Sequence, residues 1–231
     1  MGGLKSGETG LTGFPASFGG LPSAQPAACP DDDRSSVAAQ NIRAAIRAKY
    51  AGIAVSPNGR FLYPTGREGA ARLGYDPLLI DRAHPILQES FCGVGNPFTL
   101  GELLPGQRVL DFGCGAGFDM FVAYQLVGPG GTVYGIDLTP EMAQRATENL
   151  ARAGITNCVI RQVDTDIIPW RDDFFDVVIS NGVLNLCPEK PRCFREIYRV
   201  IKPGGQLLFA DVILEKELPS HLAVSAEAWS H

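Results

Sequence analysis

The stretch Val-Leu-Asp-Phe-Gly-Cys-Gly-Ala-Gly-Phe, residues 109–118, decides the fold of this chain. It joins a short apolar run to an acidic residue and a loop with glycine at every second position. Gly113, Gly115 and Gly117 allow a tight turn whose backbone N–H groups approach a ligand closely. A helical pattern follows at once, and its N-terminus adds partial positive charge. We therefore predict a strand, a ligand-cradling loop and a helix.

The glycine spacing separates two classes of nucleotide cofactor. Residue 118 is Phe, so the motif is Gly-x-Gly-x-Gly and differs from the dinucleotide fingerprint Gly-x-Gly-x-x-Gly. This spacing favours S-adenosylmethionine over a nicotinamide cofactor. A nicotinamide dehydrogenase stays the less favoured alternative, and a direct comparison of binding of the two cofactors discriminates between them.

Strand and helix patterns alternate on either side of this loop. The predicted strands are 107–111, 132–136, 158–163, 175–180 and 206–213, and the predicted helices are 118–127, 140–153 and 189–201. Alternation of this kind predicts an α/β fold, a Rossmann-like doubly wound and mostly parallel sheet of about five strands with flanking helices. Ligands of such sheets bind at the carboxyl ends of the strands, at the switch point.

Composition divides the chain into three segments. Residues 1–34 are rich in Gly, Pro, Ser and Ala and predict a disordered extension. Residues 35–100 predict a helical and irregular cap that forms a substrate wall, beginning with an amphipathic helix that places Arg43 and Arg47 on its polar face. Residues 101–231 form the predicted cofactor-binding core.

Charge and cysteine content exclude several classes of function. The chain has 231 residues and a net charge of −5, which argues against nucleic acid and anionic membranes as partners. Its six cysteines form no Cys-x-x-Cys pair and its three histidines are far apart, so we expect no zinc site. Free thiols in a reducing cytoplasm are the simplest interpretation.

Three acidic residues follow three successive predicted strands. Asp137 stands where a carboxylate accepts both hydroxyls of a ribose, and Asp164 stands where an adenine amino group would lie. Asp111 closes the first strand and is placed to orient the glycine loop or the amino-acid part of a ligand. Together with the loop they predict a nucleoside pocket.

Several motifs resemble those of class I S-adenosylmethionine-dependent methyltransferases: the glycine loop, Tyr134-Gly135-Ile136-Asp137, and the turn at 199–205. The stretch Val-Ile-Ser-Asn-Gly-Val-Leu-Asn-Leu, 178–186, is similar to the arsenite methyltransferase family in particular. The resemblance covers about residues 90–219. It implies methylation of trivalent arsenic, in which thiolates hold the thiophilic arsenic while its lone pair attacks the sulfonium methyl group.

The predicted site follows from these motifs. The expected cofactor-binding residues are Asp111, Gly113, Cys114, Gly115, Gly117, Asp137, Leu138, Met142, Asp164, Thr165 and Ser180. The expected catalytic residues are Cys92 and Cys187 as arsenic thiolates, with Asn181 facing the methyl group or the substrate. A thiol reductant is an implied partner.

This sequence departs from the arsenite family at three places. The family has a cysteine where Gly182 stands, and Cys92 is displaced by two positions from the family's cysteine. The chain ends at His231, without the helix and antiparallel strand pair that usually follow the fifth strand. We expect the natural product to continue, beyond an artificial boundary or a stop codon read as selenocysteine.

Two other functions remain open at this stage. A methyltransferase for a small organic acceptor, such as a quinone precursor, needs the same cofactor pocket and no cysteines, and the glycine at 182 favours it. A cofactor-binding protein without turnover is the second alternative. Mass spectrometry of the products formed with labelled cofactor, arsenite and a thiol distinguishes the three.

Overall fold

A computed structural model describes residues 37–55 and 61–213. Four helices precede the sheet: α1 (Val37–Val55), α2 (Gly66–Arg72), α3 (Pro77–Arg82) and α4 (Pro85–Glu89). Short 3-10 turns occupy Pro97–Thr99 and Leu184–Leu186. The predicted extension 1–34 lies outside the described residues, as does the chain end. None of the helices in the described ranges is long and apolar enough to cross a membrane.

The core alternates strands and helices as the sequence predicts. In chain order it contains β1 (Arg108–Phe112), α5 (Phe118–Val127), β2 (Thr132–Asp137), α6 (Pro140–Arg152), β3 (Cys158–Gln162), β4 (Phe175–Asn181), α7 (Lys190–Val200) and β5 (Ile201–Ala210). The prediction of 206–213 for the last strand was wrong at both ends. β5 starts directly after α7, and a register shift between Phe175 and Val177 of β4 accommodates the Pro-Gly-Gly sequence at 203–205.

The five strands form one sheet in the order β3-β2-β1-β4-β5. Every neighbouring pair within it is parallel. This confirms the predicted Rossmann-like doubly wound fold, and it places the switch point between β1 and β4, where the strand order reverses direction. The predicted absence of C-terminal antiparallel strands concerns residues beyond 213 and lies outside the described part of the chain.

The central strands β1 and β4 are buried on both faces, and neighbouring side chains of each strand point to opposite faces. Val109 of β1 belongs to the apolar cluster that contains residues of α5 and α6. The next residue, Leu110, belongs to a second cluster that contains residues of α7. In β4, Val177 and Val178 divide between the two clusters in the same way. This is why the strands of a doubly wound sheet are apolar throughout.

Helix α1 is attached to the core by a buried ion pair that the sequence pattern did not reveal. Arg43, predicted on the polar face, is buried and pairs with Asp166 and with Glu189, the latter at 2.9 Å. Burial lowers the pKa of Arg43, whereas its carboxylate partners Glu189 and Asp166 raise it. The two carboxylates have the larger combined effect, so the pKa of Arg43 is raised overall. The helical pattern failed here because it scores a residue's polarity and takes no account of a partner far along the chain.

We expect Arg43→Met to reduce the free energy of unfolding by about 3 kcal/mol, because it leaves the carboxylate of Asp166 buried without its partner. Arg47→Met is the matched control, one turn further along α1. Arg47 pairs at 2.9 Å with Asp164, whose side chain is 71% exposed, so its loss should cost about 0–1 kcal/mol. Equilibrium unfolding in urea measures both, and equal losses in the two variants contradict the assignment.

Candidate functional site

The glycine loop between β1 and α5 has the backbone conformation that the sequence predicts. Gly113, Gly115 and Gly117 have φ angles of 84°, 50° and 94°, in the left-handed region that favours glycine. A Cβ at Gly113 would lie 2.4 Å from a methyl carbon of Val183. The N–H groups of Gly113 and Cys114 each donate to the carbonyl of Ile136, at 2.9 Å, and so fasten the loop to β2.

Asp137 joins the loop to the end of β2. Its carboxylate accepts hydrogen bonds from the N–H of Gly115 at 2.9 Å and from the N–H of Thr139 at 2.8 Å. Burial raises the pKa of Asp137 to about 6, although these two hydrogen bonds lower it. The carboxylate therefore fixes the loop and also presents an acidic group at the carboxyl end of the sheet.

A cavity of about 120 Å³, open to solvent, lies beside the loop and the ends of β1, β2 and β4. The predicted site residues that line it are Cys92, Gly113, Gly115, Asp137, Leu138, Met142, Thr165, Asn181 and Cys187. The structure thus brings together the two predicted cysteines and most of the predicted cofactor residues.

The segment that precedes the sheet supplies another wall of this cavity. Arg43, Ile46 and Tyr50 of α1 line it, as does Cys92. The hydroxyl of Tyr63 donates to the carbonyl of Cys92 at 3.0 Å. The cap predicted over 35–100 remains a prediction as a domain, and its residues contact the cavity where a substrate wall is expected.

Five predicted residues do not line the cavity. Ser180 is buried and donates to the carbonyl of Phe112 at 2.9 Å, which joins the ends of β4 and β1. Cys114 is buried behind the loop, and Gly117 begins α5. Asp164 is exposed and accepts from Arg47. Asp111 is buried beneath the loop. Their contacts with a ligand remain predictions.

Two buried acids lie below the cavity. Asp111 is 2% exposed, and its Oδ2 atom has no hydrogen-bond partner. Burial, followed by the charges of Asp119 and Asp137, raises its pKa well above the ordinary value. Burial also raises the pKa of Asp119 to about 6. A positive charge placed near these groups and Asp137 would lower their pKa values again.

Asn181 connects the end of β4 to the chain segment at 94–95. Its Oδ1 atom accepts from the N–H groups of Val94 at 2.9 Å and Gly95 at 3.1 Å. Its Nδ2 atom donates to Asp119 at 3.0 Å and to the hydroxyl of Tyr75 at 3.1 Å. Every polar atom of this side chain therefore has a protein partner, and the amide positions the cap segment against the sheet.

The five cysteines of the described residues are all free: Cys92, Cys114, Cys158, Cys187 and Cys193. Burial, followed by the charges of Asp137 and Asp119, raises the pKa of Cys92 to about 12. Cys187 contacts Cys193 on the other side of the cavity wall, and contact with Cys187 together with burial raises the pKa of the Cys193 thiol.

Sequence reasoning missed several residues at this site. Tyr75, Asp119 and Arg43 contribute through partners that are distant in sequence, so no local pattern marks them. Asp166 lines the cavity and was not predicted, and the signal that could have found it is that it is the second acid after β3. Cys193 was passed over because it is not in a Cys-x-x-Cys pair with Cys187.

A doubly wound parallel sheet with a glycine loop after β1 and an acid at the end of β2 is the arrangement in which α/β domains bind nucleotide-containing cofactors. The family model described as "Methyltransferase domain" matches residues 103–231, and the chain belongs to this family.

The curated relatives point in two directions. An arsenite methyltransferase from Halobacterium salinarum is 37% identical over 205 residues, which are 82% of this chain and 52% of that protein. A ubiquinone/menaquinone biosynthesis C-methyltransferase from Pectobacterium carotovorum is 36% identical over 127 residues, 54% of this chain and 49% of that protein. The chain spans about half the length of these relatives.

A solved structure agrees with the first of them. An arsenic(III) S-adenosylmethionine methyltransferase from Chlamydomonas reinhardtii has a TM-score of 0.52 and 35% identity. The match covers 69% of this chain and 53% of that one.

We expect Asn181→Ala to accelerate amide hydrogen exchange at Val94 and Gly95, because both N–H groups lose their acceptor. The expected loss of local protection is about 1–3 kcal/mol. Exchange followed by mass spectrometry measures it. In the control Asn157→Ala, the lost hydrogen bond runs to the carbonyl of Gly131 and exchange at 94–95 should stay unchanged. Unchanged exchange in Asn181→Ala contradicts the positioning role.

Proposed function

We propose that this chain is an S-adenosylmethionine-dependent methyltransferase whose methyl acceptor is trivalent arsenic, supplied as arsenite. One observation carries the proposal: the cavity at the switch point is lined on one side by the glycine loop and Asp137, and elsewhere by the thiol-bearing residues Cys92 and Cys187. The identity to an arsenite methyltransferase over most of the chain supports the same conclusion.

The chain's own residues fit the cofactor. The N–H groups of the glycine loop and the carboxylate of Asp137 suit a nucleoside, and Leu138 and Met142 add apolar surface. The unpartnered Oδ2 atom of Asp111 is the kind of buried acceptor that an ammonium group satisfies. When bound, S-adenosylmethionine supplies an electrophilic sulfonium methyl group. Asp164 and Thr165 remain our candidates for the adenine end of the site.

The acceptor side of the cavity suits a soft atom. Trivalent arsenic prefers sulfur ligands, and Cys92 and Cys187 both line the cavity as free cysteines. Their thiols would hold arsenic near the methyl group, which supplies proximity without a general base. A thiol reductant completes the proposed reaction, because methylation raises the oxidation state of arsenic and thiols restore it. We propose the cytoplasm as the compartment, where thiols stay reduced.

Methylation of a small organic acceptor is the second candidate function. The similarity to a quinone-biosynthesis C-methyltransferase favours it, as does the glycine at 182. Such an enzyme would use the same cofactor wall and would not depend on the cysteines. Products formed from arsenite and from a quinone precursor, measured side by side, decide between the two acceptors.

We expect Asp137→Asn to weaken S-adenosylmethionine binding by about 1–3 kcal/mol, the scale for a hydrogen bond to a charged group. Because the pKa of Asp137 is raised to about 6, affinity of the wild-type chain should also fall as the pH drops through about 6, where the carboxylate takes up a proton. Titration calorimetry between pH 5 and 8 measures both effects.

The matched control for this variant is Asp172→Asn. Asp172 is a surface acid, 73% exposed, that pairs with Arg199 outside the cavity. Its removal should leave the affinity and the pH profile unchanged. An Asp137→Asn variant that is folded, as judged by thermal unfolding, and binds the cofactor with wild-type affinity at pH 7.5 contradicts the proposed pocket.

We expect Cys92→Ser and Cys187→Ser each to abolish arsenite methylation and to preserve cofactor binding, because each removes a thiol and leaves the glycine loop intact. Product analysis by mass spectrometry measures turnover, and calorimetry measures cofactor binding. Cys158→Ser, in the edge strand β3 away from the cavity, is the matched control. Normal methylation of arsenite by both variants overturns the role of thiols.

A further inference from the structure

We propose that Cys187 and Cys193, with Asp166 beside them, form a dithiol site that captures trivalent arsenic in the cavity wall. The inference rests on the proposed function and deepens it. It names a thiol pair that differs from the pair Cys92 and Cys187, and it adds a carboxylate as a third polar group.

The geometry of the three groups carries the proposal. The sulfur atoms of Cys187 and Cys193 and a carboxylate oxygen of Asp166 all lie within 4.8 Å of one another. All three residues are buried, with exposures of 7%, 0% and 8% respectively. Among the described residues, no other group of three His, Cys, Asp or Glu side chains has an arrangement that could hold a metal ion.

Local structure explains why residues six apart in sequence meet here. The 3-10 turn Leu184–Leu186 ends at Cys187, and the N–H of Cys187 donates to the carbonyl of Leu184. Helix α7 then begins at Lys190, and the N–H of Cys193 donates to the carbonyl of Glu189. Cys193 therefore lies in the first turn of α7, and its sulfur atom is close to that of Cys187 at the end of the preceding turn.

The site is accessible from the cavity and closed on its other side. Cys187 and Asp166 line the cavity, whereas Cys193 is fully buried behind them in the apolar cluster that packs against α7. Arsenic bound by the two sulfur atoms would therefore lie at the cavity wall, within the chamber that the glycine loop also lines.

The chemistry of arsenous acid suits a buried pair of thiols. Two As–S bonds form and two As–O bonds break, and each leaving hydroxyl takes one thiol proton to become water. Charge is conserved, no electrons are transferred, and one hydroxyl group stays on arsenic, where Asp166 can accept its hydrogen bond. A reaction that adds no charge avoids the cost of burying an ion.

The surroundings favour arsenic over a divalent cation. Asp166 already pairs with the buried guanidinium of Arg43, which also pairs with Glu189. A positive side chain in contact with a ligand opposes the approach of a second cation. Zinc ions would therefore bind weakly at this site, although the ligand types alone would accept them.

The backbone at Gly182 provides a second reason to look for the thiol pair elsewhere. Gly182 has a φ of 72°, and a Cβ there would lie 3.3 Å from the side chain of Val94. A cysteine at 182, where the arsenite family has one, would be strained in this structure. Cys187 and Cys193 place two sulfur atoms close together, and neither residue has a positive φ.

The test measures capture of arsenic without cofactor. Arsenite binding to the full chain is measured by equilibrium dialysis with elemental analysis, and free thiols are counted before and after. We expect one arsenic per chain and the loss of two thiols. Cys187→Ser and Cys193→Ser should each weaken binding at least about tenfold. Cys158→Ser is the matched control and should bind normally.

A readout on the wild-type chain keeps the test valid if a variant misfolds. Phenylarsine oxide should join the two tryptic peptides that separate after Arg192, because one arsenic bridges Cys187 and Cys193. The proposal is overturned if the Cys193→Ser variant binds arsenite as tightly as the wild-type chain. It is also overturned if the arsenic bridge joins any other pair of cysteines. Zinc binding that is stronger than arsenite binding also overturns it.

Failure of this inference and failure of the proposed function give different results. Capture by Cys187 and Cys193 without any methylated arsenic in the presence of cofactor contradicts the methyl acceptor and leaves the dithiol site standing. If the Cys193→Ser variant binds arsenite with normal affinity and still methylates it, the dithiol site is contradicted. The proposal that arsenic is the methyl acceptor then still stands.

Discussion

The rest of the site depends on the two hydrogen bonds that the carboxylate of Asp137 accepts from the backbone. A loop with alternating glycines has many conformations available, and fixing one of them costs entropy. The N–H of Gly115 and the N–H of Thr139 reach the same carboxylate at 2.9 Å and 2.8 Å, so one side chain orders the loop and the start of α6 together. The cavity has a defined wall because this contact holds.

Two further polar side chains attach the segment that precedes the sheet. Asn181 at the end of β4 holds the segment at 94–95, and Arg43 of α1 reaches the acids at 166 and 189. Each contact joins a residue on one side of the cavity to a residue on another side. The same groups that stabilise the fold therefore set the shape of the chamber, and substitution of either residue is expected to affect both.

The sequence pattern predicted those elements whose structure depends on interactions between residues that are close in sequence. The strand, glycine loop and helix at 108–127 were correct to within one residue, because a short apolar run and glycine conformation act over a few residues. The buried Arg43 and the thiol pair of Cys187 and Cys193 were not predicted. Arg43 pairs with acids far along the chain, and Cys187 and Cys193 meet only in the folded protein, so both features depend on tertiary packing. Asp166 was not considered, and only the structure shows that it is buried whereas Asp164 is exposed.

The acids near the cavity are also linked to the segment that precedes the sheet. Burial raises the pKa of Asp119 and of Asp137 to about 6, which means that their charged forms cost folding energy. For a carboxyl group raised in this way, the cost is full above about pH 6 and disappears as the pH falls towards the ordinary value. A cationic ligand would offset it at neutral pH. Because Asp119 accepts from Tyr75 and Asn181, a cation that stabilises its charge also strengthens the contacts that hold the cap.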